Sequence, residues 1–248
     1  MFFLITFRTF AAKIMIPKLI HLCWFSNDPY PVEIKVCLDS WKRIIPDYEI
    51  KLWGYKEAKA IGCPFIDEAL EAHKWAFAAD AVRFYAVYVH GGVYMDSDIF
   101  LYKRFDEFMQ KNVFTTFMTE EGETKTGLQA AFFMAPHGNA FCQKVWEYYN
   151  HHFKNDEGSF NTTISPIIME RIAKQLQFDM NIRSTQLLEG LHVYPTSYLL
   201  PRKKYPRTEK TFAEHRIYGS WRKRKLSRQI DLMISHVVHV VKYALFKK

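Results

Sequence analysis

Asp96 and Asp98 stand one residue apart at the end of the stretch His90-Gly91-Gly92-Val93-Tyr94-Met95-Asp96-Ser97-Asp98-Ile99-Phe100. In an extended segment alternate side chains share a side, so the two carboxylates face the same way. Close carboxylates repel each other unless a cation lies between or beside them. Oxygen ligands suit hard divalent ions such as Mg2+ or Mn2+. An ion held by one or two carboxylates usually completes its shell with phosphate oxygens. The pair therefore points to a metal–diphosphate site at a strand end. An isolated Asp-x-Asp is also common in solvated turns, so what surrounds it decides between the two.

Asp80 and Arg83 lie three apart in the segment Trp75 to His90 and share a helical face. Spacing alone makes them a helical ion pair. The helix, however, stops at Gly91-Gly92, where a left-handed cap fits, and delivers the chain directly into the Asp96/Asp98 strand. That connection turns the same face toward one cleft.

The elements that must position these groups follow in order. Ile16 to Phe25 reads as a buried strand followed by a loop with Pro29 and Pro31. Ile34, Cys37, Leu38 and Trp41 have helical spacing, and Tyr48 to Trp53 alternates as a strand. Strand, helix, strand predicts a parallel βαβ unit. Helices are expected over Lys56 to Ala60, Asp67 to His73, Trp75 to His90, Asn139 to His151 and Ser165 to Gln175. Gln129 to Ala135 and Leu191 to Pro195 read as strands, and polar, glycine-bearing Thr119 to Gly127 as a mobile loop. His21, alone in a buried strand, is expected to be structural.

The chain has 248 residues and a formal net charge of +8, enough for one sizeable core. Residues 201–248 carry 14 Lys and Arg against 3 Asp and Glu, while the first 200 carry 20 against 23. The basic character is local to the tail. Cys23, Cys37, Cys63 and Cys142 show no CxxC pairing and read as reduced thiols of an intracellular protein. Residues 1–15 form an apolar extension, too short to span a bilayer and poor as a signal peptide, with Met15 a candidate start.

An ordered series of motifs makes the chain resemble glycosyltransferase family 32, the DxD-containing capsular-polysaccharide and α-mannosyl transferases. The series is Ile16-Pro17-Lys18-Leu19-Ile20-His21 with Trp24, Ser40-Trp41-Lys42, Leu52-Trp53, Ala79-Asp80-x-x-Arg83, Gly91-Gly92-Val93-Tyr94-Met95-Asp96-x-Asp98, Leu128-Gln129-Ala130-Ala131, Tyr194-Pro195, and Thr211-Phe212-Ala213-Glu214-His215 with Gly219-Ser220-Trp221. The glucosylating domains of large clostridial toxins are more distantly similar. The resemblance covers about residues 16–221. It implies an α/β GT-A fold with a mostly parallel central sheet flanked by helices, and retaining transfer of a sugar from a nucleotide-diphosphate donor. It also implies roles for individual residues. Asp98 would ligate Mn2+ or Mg2+ directly, Asp96 would hold the ribose or bind the metal through water, and His215 would contribute from the C-terminal segment. Asp80 and Arg83 would bind donor sugar and phosphates. Trp24 would stack on the base with Tyr94 on its other side. Gln129 is a candidate for the sugar's reacting face, with a plainly structural strand glutamine as the alternative, and Ser220 and Trp221 would close over the diphosphate. The family often has two adjacent histidines where this chain has His215-Arg216, and Glu214 stands where an aliphatic is usual, an additional acid near the metal.

Residues 222–248 combine the run Arg222-Lys223-Arg224-Lys225 and Arg228 with an apolar segment. Its polar residues Asp231, Ser235, His239 and Lys242 form one helical stripe. A basic cluster before an amphipathic helix fits peripheral contact with a membrane, while a helix docked on the domain itself is the alternative. Nucleic acid is not expected, because no aromatics interleave with the basic run. The expected protein is a cytoplasmic enzyme at the inner face of the membrane, acting on a glycan acceptor such as a lipid-linked capsule or O-antigen precursor. The rival functions are a nucleotidyltransferase or phosphotransferase on the same carboxylates, and a non-catalytic glycan-binding module.

Overall fold

The computed structural model describes residues 15–26, 28–121, 125–201 and 206–217, with residues 234, 237, 238 and 241 of the tail. The first strand β1 (Leu19–Cys23), helix α1 (Val32–Ile44) and strand β2 (Glu49–Trp53) form the expected parallel unit. Three helices follow: α2 (Tyr55–Lys59), α3 (Pro64–Glu71) and α4 (Trp75–His90). The chain then enters β3 (Gly92–Met95), β4 (Ile99–Leu101), β5 (Phe114–Glu121), β6 (Lys125–Ala135), α5 (Ala140–Tyr148) and α6 (Ser165–Gln175). It closes with β7 (Gln186–Leu188), β8 (Leu191–Tyr194), β9 (Leu199–Pro201) and β10 (Ala213–His215).

Seven strands form one sheet in the order β2-β1-β3-β6-β5-β8-β7, and β4-β10-β9 form a second. In the large sheet only β6 and β7 run against the rest. Side-chain alternation sorts residues to its two faces. Ile20, Leu22, Val93 and Met95 join a core under α1, and Tyr94, Phe133 and Ala135 join one under α3 to α6. From β1 the chain crosses to β2 on one side and to β3 on the other. The carboxyl ends of β1 and β3 therefore flank a switch point, where open α/β sheets leave a crevice for ligands.

Local chemistry explains the boundaries. α4 has no Gly or Pro, starts Ala-rich, and is buried along much of its circumference. α3 and α6 carry proline in their first turn, where a missing N–H costs nothing. Asn139 caps α5, its Oδ1 accepting from Phe141 N at 3.0 Å and Cys142 N at 3.1 Å. The described residues of the segment expected to be a loop at Thr119 to Gly127 are instead paired, with Thr119 opposite Gly127 and Glu121 opposite Lys125. Thr126 is buried there, its N–H donating to the Met180 carbonyl at 2.8 Å.

Gly91 has φ 65° and ψ −178°, extended in mirror image rather than left-handed helical. A Cβ there would lie 2.6 Å from His137 N, and one on Gly92 (φ 109°) 2.4 Å from the Leu19 carbonyl oxygen. Only glycine admits this backbone and this approach. His21 holds the turn from β1. Its Nε2 donates to the Gly91 carbonyl at 2.8 Å and its Nδ1 accepts from Trp53 Nε1 at 3.1 Å. The carbonyl only accepts and the indole only donates, so the ring must be neutral. Burial lowers its pKa to about 4. The folded value lies below the ordinary 6.5, so the stabilisation is full above pH 6.5 and is lost as pH falls toward 4. A loss on the order of 2–3 kcal/mol is expected across that window. Urea midpoints measured from pH 7 to 4 check it: His21→Gln should flatten the pH profile, and an equally steep profile in the variant would reject the assignment.

Candidate active site

The regular strand β3 ends at Met95, its last residue in register with β6, opposite Phe132, so the extended segment expected through Asp98 stops short of the carboxylates. Asp96 N–H donates to the Ala131 carbonyl at 2.9 Å and Ile99 N–H to the Asp96 carbonyl at 3.0 Å. The two carboxylates are thus brought together by a tight turn between β3 and β4, not by strand alternation. β10 pairs antiparallel with β4 and sets His215 opposite Ile99. His215 Nε2 lies 3.3 Å from Asp98 Oδ1 and 4.0 Å from Asp96 Oδ2. One ligand atom from each of Asp96, Asp98 and His215 falls within 4.8 Å of the other two. Two carboxylates and an imidazole on one side of a partly open site fit Mn2+ or Mg2+ with positions left for other ligands.

The electrostatics agree. Burial opposes charge on His215, but Asp98 prevails and raises its pKa. Burial also raises the Asp96 carboxyl against the pull of Arg83, and Asp98 adds to the rise. A divalent cation placed among these groups would compete with their protons.

Arg83 lies at the floor, 6% exposed. Its Nε donates to the Ala79 carbonyl at 3.1 Å and its Nη1 to the Ala130 carbonyl at 2.8 Å. Its Nη2 is 3.0 Å from Asp80 Oδ1 and 3.6 Å from Asp96 Oδ1. Burial works against this charge, and its negative neighbours reverse the effect, so its pKa is raised. The helical ion pair and the site-facing arrangement are therefore the same contact. Ala130 is reachable because β6 bulges. The register passes from Thr116 opposite Phe133 to Met118 opposite Leu128, and consecutive Ala131 and Phe132 both face the α1 side. Bulges commonly re-aim groups beside active sites. Gln129 sits in this bulge, 6% exposed, with its carbonyl accepting from Thr116 Oγ1 at 2.7 Å.

Trp24 follows β1, half-buried, with its Nε1 donating to the Asp28 carbonyl at 3.1 Å. Tyr94 does not offer a second ring face to a base. It is 1% exposed in a central strand, stacked on Phe133, with the Arg83 guanidinium 4.6 Å above its ring. Its hydroxyl donates to Asp96 Oδ1 at 2.6 Å, so it orients the turn. The ring beside Trp24 is Tyr30, edge-on at 4.8 Å. Glu214 points away from the metal group and accepts from Tyr102 at 2.6 Å, because neighbours along β10 face opposite ways. Arg216, at the second histidine position, donates its N–H to the Asp98 carbonyl at 3.1 Å and lays its guanidinium 4.1 Å over Phe100. Ser220, Trp221 and the basic run lie outside the described residues. Sequence reasoning assigned no role to Tyr30 or to Ser165, which reaches Asp80; only the Ser-Pro start of α6 hinted at the latter.

Residues 31–115 match the family described as glycosyltransferase sugar-binding region containing DXD motif. This bears out the glycosyltransferase family 32-like, DxD character drawn from the motifs. Inositol phosphoceramide mannosyltransferase 3 of Schizosaccharomyces pombe is 32% identical over 91 residues, 34% of this chain. The chain spans about a quarter of that relative's length, 24%. Among solved structures, the PaToxG glycosyltransferase superposes with a TM-score of 0.51 at 18% identity, covering 65% of this chain and 70% of its own. The galactosyltransferase LgtC, solved with donor and acceptor sugar analogs, gives 0.46 at 10% identity over 79% of this chain and 86% of its own. The fold is of the GT-A type, as expected.

Proposed function

We propose that this glycosyltransferase family 32-like chain is a metal-dependent hexosyltransferase. It moves a sugar from a nucleotide-diphosphate donor to a growing surface glycan such as a capsule or O-antigen chain. The observation that carries the reading is the convergence of Asp96, Asp98 and His215 at the switch point, directly above the buried Asp80–Arg83 pair. Retention at the anomeric carbon rests on the family resemblance.

Asp98 and His215, with Asp96, would hold Mn2+ or Mg2+, which supplies Lewis-acid neutralisation of the departing diphosphate. Trp24 offers ring area for a planar base. Asp80 accepts from sugar hydroxyls, and Gln129 borders the reacting face. The bond from the anomeric carbon to the diphosphate oxygen breaks with its electron pair leaving on the nucleotide. An acceptor hydroxyl forms the new bond and gives its proton to the released diphosphate or to water.

The test is incubation with GDP-mannose, UDP-glucose and UDP-galactose, with Mn2+ or with excess EDTA. Release of nucleoside diphosphate that EDTA suppresses is expected. Release of sugar 1-phosphate in place of nucleoside diphosphate would replace this reading with nucleotidyl transfer, and no turnover of any donor would favour a binding module. The S. pombe relative's name makes GDP-mannose the first donor to try.

The enzyme works in the cytoplasm at the inner membrane face, on an acceptor glycan carried by a lipid. In support, Ile234, Val237, Val238 and Val241, the described residues of the tail, are helical and exposed, at 59%, 59%, 44% and 49%, and their spacing shares one helical side. Basic residues near anionic headgroups contribute about 1 kcal/mol each. No helix among the described residues is long and apolar enough to cross a membrane. Deleting residues 222–248 should abolish cosedimentation with phosphatidylglycerol vesicles; unchanged cosedimentation would reject the contact.

A further inference from the structure

Asp80 is held by more than Arg83. Ser165, the first residue of α6 and 0% exposed, donates its hydroxyl to Asp80 Oδ1 at 2.8 Å and its backbone N–H to Oδ2 at 3.0 Å. α6 has no side-chain cap of its own; Ile164 occupies that position. A carboxylate on α4 therefore caps α6 from 85 residues away. α6 is in turn pinned to the bulged strand, where Leu128 N–H donates to Glu170 Oε1 at 3.3 Å.

We infer that Ser165 is a positioning residue for donor-sugar recognition: it locks the Asp80 carboxylate so that one acceptor position remains for a sugar hydroxyl. The counting is direct. A carboxylate accepts about four hydrogen bonds. Ser165 Oγ, Ser165 N and Arg83 Nη2 occupy three. The two-point grip of Ser165 also fixes the plane of the carboxylate, and with it the direction of the remaining lone pair. Tyr149 adds an independent sign that polar capacity is kept open here. Its hydroxyl is fully buried, has no hydrogen-bond partner among the described residues, and is near enough to feel the charges of Asp80 and Arg83. Polar groups left unpaired in a core are costly, so a hydroxyl in that state beside the pair calls for an explanation.

The inference rests on the proposed donor chemistry, and binding measurements separate the two. Titration calorimetry with Mn2+ compares GDP with GDP-mannose, and UDP with UDP-glucose and UDP-galactose. The affinity gained on adding the sugar to the diphosphate is the quantity read. In wild type one sugar donor should bind more tightly than its diphosphate. Ser165→Ala, which keeps the backbone N–H, should erase roughly tenfold of that gain, the scale of one hydrogen bond to a charged group. It should leave diphosphate affinity unchanged, and Ser165→Thr should restore the gain. A wild type with no gain for any sugar, equal losses for diphosphate and sugar donor in Ser165→Ala, or an undiminished gain in that variant would each overturn the inference. If instead donors bind with the expected gain but release sugar 1-phosphate, the transfer reading fails and the positioning role stands.

Discussion

Asp98→Asn is expected to lower donor turnover by roughly 10³-fold, the scale of removing one preorganised electrostatic contact or a metal ligand from a transition state. The amide keeps the shape and the backbone contact to Arg216 but removes the charge that His215 and the cation both need. Folding should survive, because the acid sits in a turn at the crevice rather than inside either apolar core. Nucleoside diphosphate release and thermal unfolding, measured on the same sample, check both halves. A variant with wild-type turnover would remove the carboxylate pair from the mechanism. Unfolding of the variant together with loss of activity would recast Asp98 as structural.

Arg83→Ala is expected to cost about 3–5 kcal/mol of stability, the penalty for breaking a buried ion pair from one side. The guanidinium serves four partners at once: two carbonyls and two carboxylates. Removing it strands Asp80 and Asp96 without a countercharge and leaves the Ala130 carbonyl without its donor. Arg83→Lys keeps the charge but not the planar fork, and should fall between wild type and Ala. Urea unfolding midpoints read the order directly; a midpoint for Arg83→Ala within experimental scatter of wild type would show that the cluster relaxes without it.

Much of this arrangement is legible in the residues alone. The boundaries of α4 and α6, the parallel β1-α1-β2 unit and the grouping of Asp80, Arg83, Asp96 and Asp98 follow from periodicity, capping and motif order. What could not be read depends on which neighbour a strand acquires. Tyr94 looks like an available ring until β1 and β6 are placed on either side of its strand. Asp96 and Asp98 look extended because they follow directly on a strand pattern, although Asp-Ser-Asp also suits a turn. The bulge in β6 has no glycine or proline to mark it within Leu128 to Phe132, and is set by the cross-strand register. Ser165 is invisible for the same reason: its partner is far away in the chain.

The bulge has a further implication. Across Leu128 to Ala131, β6 gives its Leu128 N–H to Glu170, its Gln129 carbonyl to Thr116, its Ala130 carbonyl to Arg83 and its Ala131 carbonyl to Asp96. All four are main-chain atoms, present whatever side chains the segment bears. Selection can therefore exchange the side chains at 129 and 130 without unseating the acids or the guanidinium beneath them. Innovation and upkeep are written in separate parts of the same four residues.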